Sequence, residues 1–142
     1  MKTIVFYLFL VGFSQAVQAQ STELTVEIKG LKSDVGKCLV SIFKNKSGFP
    51  TDVKTAMKTI TATIKDGKCT AVFPNVATGE YAVAVVHDEN GNGKMDTNFI
   101  GIPKEGIGTS NDVKSRFGPP SYEVSKFQFG IIKSISINIQ YL

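Results

Sequence analysis

The chain has 142 residues, with 16 Lys and Arg against 12 Asp and Glu for a net charge of +4, and 42% of its residues are hydrophobic. That length suits one domain with one real core. The lysines are scattered and form no periodic basic face, which excludes the footprint of a nucleic-acid binder, and no apolar segment reaches the ~20 residues that a membrane-spanning helix needs.

At the N-terminus, Lys2 precedes an apolar run over 4–13, and small and polar residues follow, ending in Val17, Gln18 and Ala19. This order predicts a secretory signal peptide over 1–19, with Val17 and Ala19 as the small residues of the cleavage site. The expected mature chain is a single domain, 20–142. Loss of Lys2 leaves 15 basic against 12 acidic side chains, a net charge of +3. No cysteine follows the cleavage site to accept a lipid, and no transmembrane anchor is expected after it.

Strand patterns then run along most of the chain. Leu24, Val26 and Ile28 alternate with polar residues, and Cys38, Val40 and Ile42 repeat the period of a half-buried strand. Over 52–58, Val53, Ala56 and Met57 fall at helical spacing after Pro50, with Thr51 as a cap, so one short helix is expected there. Ile60, Ala62 and Ile64 resume the alternation up to Asp66-Gly67, a pair suited to a tight hairpin turn. With that turn, Ile64 would face Cys69, Ala62 would face Ala71 and Ile60 would face Phe73, which points Cys69 inward.

Cys38 and Cys69 are the only cysteines. In an exported protein the default is one disulfide, and the alternative is two buried free thiols in separate strands.

The run over 81–86 is apolar on both faces, so the strand needs cover on its outer side as well as a core beneath it. The long Gly- and Pro-rich segment over 98–123 is expected to pack back and supply it, using Phe99, Ile100, Ile102, Ile107 and Phe117. Ile135, Ile137, Ile139 and Tyr141 form the apolar face of a closing strand. Strands at regular spacing, with turns between them and no long helices, argue for an all-β sandwich.

The candidate chemistry lies at the end of the central run, in His87-Asp88-Glu89-Asn90-Gly91-Asn92-Gly93-Lys94-Met95-Asp96. Counted from Asp88, oxygen side chains stand at the first, third, fifth and ninth positions and glycine stands at the sixth. A hard cation such as Ca²⁺ takes oxygen ligands in this spacing, which nominates Asp88, Asn90, Asn92, the Lys94 carbonyl and Asp96. Phe99 occupies the twelfth position, where a bidentate Glu would complete the set, so Glu89, Glu105, Asp112 or Glu123 would have to finish the shell. The alternative is a loop whose Asn and Asp side chains bond only its own backbone. His87 is the sole histidine, which excludes zinc sites built from several imidazoles. As neighbours on a strand, His87 and Asp88 point to opposite faces and do not make a dyad.

Several longer motifs carry a family resemblance: Gly48-Phe49-Pro50, Phe73-Pro74-Asn75-Val76, Gly79-Glu80-Tyr81, HDENGNGKMDTNFIGIPKEG over 87–106, and Arg116-Phe117-Gly118-Pro119-Pro120-Ser121-Tyr122. Together they resemble the bacterial family labelled domain of unknown function 2141 across nearly the whole mature chain. The resemblance implies a small exported protein with a prealbumin-like or immunoglobulin-like β-sandwich of about seven strands, one short helix and one long packed loop. Export would place it in the periplasm, at the outer membrane or outside the cell, and the resemblance implies no established activity.

Three readings of function stay open on the sequence. One is a non-catalytic envelope module whose calcium-stabilised loop holds a glycan or protein partner. Another is a small hydrolase using Asp88, Glu105 or His87. The third is a structural subunit that assembles through strand edges.

Overall fold

A computed structural model describes residues 22–115 and 117–142, so the expected signal peptide lies outside the described residues. Among the described residues eight strands form two sheets. They are β1 (Leu24–Lys29), β2 (Lys37–Phe43), β3 (Lys58–Ala62), β4 (Cys69–Phe73), β5 (Gly79–Asp88), β6 (Gly106–Thr109), β7 (Phe127–Phe129) and β8 (Ser134–Asn138). One sheet has the order β4-β1-β8 and the other β3-β2-β5-β6, with β7 also on β5. The architecture is the expected all-β sandwich.

The core follows from the alternation. Leu24, Val26 and Ile28 of β1, Val40 and Ile42 of β2, Phe73 of β4 and Val83 of β5 are all fully buried between the sheets. Their polar neighbours face away, as a period-2 strand requires.

The Asp66-Gly67 turn forms as the sequence indicates: Asp66 (φ 53) and Gly67 (φ 69) both adopt the left-handed conformation that the tight turn demands, and Lys65 and Lys68 exchange backbone hydrogen bonds. Asp34 caps it, its carboxylate accepting the Asp66 and Gly67 N–H groups at 2.9 and 2.8 Å.

The hairpin expected beyond that turn is corrected. β3 pairs with β2 and β4 pairs with β1, so the chain changes sheets at the turn. Ile64, Cys69, Ala71 and Phe73 are nonetheless buried. A side chain pointing into a sandwich core meets the other sheet as readily as its own ladder neighbour, so inward apolar alternation fixes the face and leaves the pairing partner open.

The helix expected over 52–58 is a single 3-10 turn, Val53–Thr55, capped by Asp52 instead of Thr51. The Asp52 carboxylate accepts the Lys54 N–H, and β3 begins already at Lys58, leaving no length for a helix. A single helical turn, α1, forms later at Tyr122–Ser125.

β5 does carry apolar cover on its outer face, but from different residues than expected. Phe43, Ala82, Ala84 and Tyr122 are buried together there, with Phe49 and Ala56 packed on them. Phe43, Phe49 and Tyr122 form an edge-to-face chain with ring centroids 5.2 and 5.8 Å apart. Phe99 and Phe117, expected to supply the cover, are 99% and 94% exposed. The compact outer layer is already filled by Tyr122 and Phe49, which leaves the tips of the long segment in solvent.

That segment contributes in another way. β6 and β7 share one edge of β5, β6 against Ala84–His87 and β7 against Gly79–Tyr81, and the chain between them leaves the ladder. Ser110 fills the gap: its buried hydroxyl oxygen accepts the Val83 N–H at 2.9 Å and its proton goes to the Ser125 carbonyl. A buried backbone N–H needs a partner, and here a side chain provides it where the strand does not.

Finally, β8 runs parallel to β1, after which Ile139 N–H bonds the Lys29 carbonyl and Gln140 crosses to exchange bonds with Ile107 of β6. The two sheets are therefore tied by backbone on one side at Gln140 and on the other through the Lys65–Lys68 turn.

Candidate functional site

The loop over 88–96 leaves the end of β5; Asp88 is buried, and the exposed Asn90 and Asn92 bond the loop itself instead of reaching away from it. Asp88, 2% exposed, accepts three backbone N–H groups: Gly91 and Asn92 on Oδ1 at 2.9 and 3.1 Å, and Gly93 on Oδ2 at 2.8 Å. Gly93 sits at φ +78, the sharp bend that lets its N–H reach back. Asn90 Oδ1 accepts the Asn92 N–H, and Asn92 Oδ1 accepts the Lys94 N–H, each at 3.0 Å.

The amide nitrogens of both asparagines converge on Asp96. Asn92 Nδ2 donates to both Asp96 oxygens at 2.9 Å, and Asn90 Nδ2 donates to Oδ2. These bonds, Asn92's first, hold the Asp96 carboxyl below the usual aspartate range. The structure thus brings Asp88, Asn90, Asn92 and Asp96 into one hydrogen-bonded ring.

Of the residues considered for completing a ligand shell, two stand at this loop. Glu105, immediately before β6 and 5% exposed, closes the loop's mouth: Oε1 accepts the Glu89 N–H and Oε2 the Asp96 N–H, both at 3.0 Å. Glu89 pairs with Lys32 at 2.8 Å, and this contact raises the Lys32 ammonium above its ordinary value. Asp112 is committed to Asn138, accepting its backbone and side-chain N–H groups. Glu123 pairs with Lys126 at 2.7 Å.

His87 faces the inner side, fully buried, opposite Cys38. Its Nε2 lies 2.7 Å from the Val35 carbonyl, which only accepts, so Nε2 carries the proton. Nδ1 is then the acceptor, and Tyr141 donates its hydroxyl proton to it at 2.8 Å. The Tyr141 oxygen accepts the Lys32 N–H at 3.0 Å, and the Lys32 ammonium lies 4.8 Å from the center of the Tyr141 ring. Both nitrogens of the only histidine are therefore engaged, Nδ1 with Tyr141 of the C-terminal segment and Nε2 with the Val35 carbonyl ahead of β2.

Beside the loop opens a polar cleft of about 440 Å³ lined by Lys32, Glu89, Asn90, Asp96, Lys104 and Glu105. Local pattern gives no hint of Lys32, which reaches the site through contacts with Glu89 and Tyr141 far along the chain. Next to the cleft, residues 97–103 form a small hairpin held by Asn98, whose side-chain oxygen accepts the Ile100 and Ile102 N–H groups. Its tip displays Phe99, Ile100 and Ile102 to solvent.

Chemically, the ring offers oxygen ligands only. Among the described residues no three His, Cys, Asp or Glu side chains stand together as a metal-binding group. A cation held here would rest on two carboxylates with amide and carbonyl oxygens, which suits a hard ion such as Ca²⁺ and not Zn²⁺.

Cys38 and Cys69 are both buried and both free thiols in this structure. Among the described residues no helix is long and apolar enough to cross a membrane.

No curated protein and no solved structure matches the chain. The sequence pattern of a bacterial family matches residues 26–136, from within β1 to within β8, and the chain belongs to that family, described as "Uncharacterized protein conserved in bacteria (DUF2141)".

Proposed function

We propose that this is an exported, non-catalytic β-sandwich module of the bacterial envelope whose 88–96 loop binds Ca²⁺, and whose adjoining cleft and hairpin tip contact a glycan or protein partner. The observation that carries the reading is that Asn90 and Asn92 both turn their side chains onto Asp96 while the Asp88 carboxylate gathers the Gly91, Asn92 and Gly93 N–H groups beneath the same loop. A loop whose Asn and Asp side chains bond only its own backbone accounts for the bonds to Gly91, Asn92, Gly93 and Lys94, and the three amide bonds onto Asp96 go beyond it. Asp88, Asn90, Asn92 and Asp96 with the Lys94 carbonyl would hold the ion, while Glu105 keeps the loop's two ends in register. With only two carboxylates in the ring, the affinity belongs in the weak range of extracellular calcium modules, about 10⁻⁴ to 10⁻³ M.

The non-catalytic part of the reading is supported by how the candidate acid and base groups are employed. His87 has a partner on each ring nitrogen. Asp88 and Glu105 direct both carboxylate oxygens at backbone N–H groups. The binding role is supported by the exposed Phe99, Ile100 and Ile102 next to a cleft rich in hydrogen-bonding groups, since clustered exposed apolar residues rimmed by polar ones mark interaction surfaces. Export rests on the pattern of residues 1–19.

Isothermal titration of EDTA-stripped protein with Ca²⁺ tests the proposal, with Asp88→Ala as the comparison. A saturable heat in the native protein that disappears in the variant is expected. No heat in either at several times the expected constant contradicts it.

A further inference from the structure

We propose that Cys38 and Cys69 form a disulfide that staples the two sheets of the sandwich to each other. Cys38 lies on β2 in one sheet, and Cys69 opens β4 in the other. Within their own sheets, Cys38 is flanked by Ala62 and His87 and Cys69 by Ile28, so neither cysteine is the other's ladder partner. Both side chains instead point into the same inter-sheet core, Cys38 from β2 and Cys69 from the facing β4, so that the two thiols lie beside each other across the sandwich. The neighbouring Cys69 and burial push the Cys38 thiol well above its ordinary range.

The location gives the staple a purpose. β3 and β4 are edge strands on the same side of the sandwich, and the backbone joins them only through the turn closed by Lys65 and Lys68. A covalent link between β2 and β4 fastens that side from within. It would also close the intervening chain in the unfolded state, which is the main stabilising effect of a disulfide in the chain-entropy account.

The oxidant required is an external disulfide. Cys69, 7% exposed against 0% for Cys38, is the thiol reached first. Its thiolate attacks one sulfur of the oxidant, forming a mixed disulfide and releasing one reduced thiol. The Cys38 thiolate then attacks Cys69 sulfur, the mixed disulfide breaks, and a second reduced thiol leaves. Two protein thiols are oxidised, one external disulfide is reduced to two thiols, and both protons end on the released thiols. Because both sulfurs are buried, the exchange takes place during folding or local opening.

The test is incubation of the protein with oxidised glutathione, followed by denaturation, alkylation and intact-mass measurement. The expected product is lighter than the dithiol by two hydrogens, takes no alkyl label, yields a linked Cys38–Cys69 peptide on digestion, and melts on the order of 10 °C higher than the reduced form. Labelling of both cysteines after oxidation, or glutathione retained on each, overturns the proposal. Cys38→Ser and Cys69→Ser serve as controls whatever their own stability. Neither should shift its melting temperature with oxidant, and a shift as large as the native protein's in either would overturn the proposal as well.

Discussion

Glu105 accepts the backbone N–H of Asp96 at 3.0 Å, so a buried residue at the foot of β6 holds in place the last anion of a loop that starts on β5. Its second oxygen does the same for Glu89 at the loop's beginning. A neighbouring strand therefore fixes both ends of the candidate ion loop, and the loop's shape depends on the β5–β6 pairing.

Glu105→Ala should leave two N–H groups without their acceptor and destabilise the fold by about 2–3 kcal/mol, the range for losing buried hydrogen bonds to a charged group. Glu105→Gln keeps one acceptor oxygen and should fall between the variant and the native protein. Urea unfolding gives the magnitude, and hydrogen exchange gives the place: the Glu89 and Asp96 amides should be the first to lose protection. Unchanged protection at both would show that the clamp is not formed in solution.

Ser110→Ala removes the only acceptor at hand for the buried Val83 N–H in the gap between β6 and β7. A loss of about 1–3 kcal/mol is expected, the desolvation cost of an orphaned donor. Ca²⁺ affinity should not change, because Ser110 makes no contact with the loop's ring. Urea unfolding and calcium titration of the same preparation separate the two effects.

Tyr141→Phe deletes the hydroxyl that donates to His87 Nδ1 and accepts from Lys32 N–H. The fully buried His87 nitrogen then has no donor, and a destabilisation of about 1–2 kcal/mol should appear in urea unfolding. Proton and nitrogen spectra of the histidine should still show Nε2 carrying the proton, since the Val35 carbonyl remains.

Acid should weaken the fold only below the ordinary carboxyl range. The Gly67 and Asp66 N–H groups hold the Asp34 carboxyl below its usual value, and the asparagine amides do the same for Asp96. A carboxyl whose folded value is depressed contributes fully above its unfolded value of about 3.9 and loses that contribution as pH falls through the lower folded value. Urea midpoints should therefore fall below about pH 4, and Asp34→Ala should flatten that acid limb. A midpoint that does not change on acidification to about pH 2 would contradict the assignment.

What the sequence made legible is what depends on local periodicity. The alternation of Leu24, Val26 and Ile28, and of Cys38, Val40 and Ile42, identifies inward faces correctly, because a strand's face is set by its own period. The oxygen spacing from Asp88 to Asp96 likewise identifies a loop that folds upon itself, because that geometry is local. Pairing partners are another matter. β3 takes β2 instead of β4, and β8 lies parallel to β1 at the far end of the chain, since these choices are decided by how whole sheets pack. The same holds for the outer layer. Phe99 looks able to cover β5 in sequence, yet the residue that does so is Tyr122, which sits on a turn returning to the sheet, where its hydroxyl reaches the Glu80 carbonyl at 3.3 Å. Lys32 carries no local sign of its place beside the cleft.

The proposal that Asp88, Asn90, Asn92 and Asp96 hold Ca²⁺ is tested most directly by following backbone amide resonances while Ca²⁺ is added to about 10 mM, well above the expected constant. Saturable shifts confined to residues 88–96 and Glu105, absent in Asp88→Ala, are the result that the ring predicts. A spectrum that stays unchanged through the titration would contradict it.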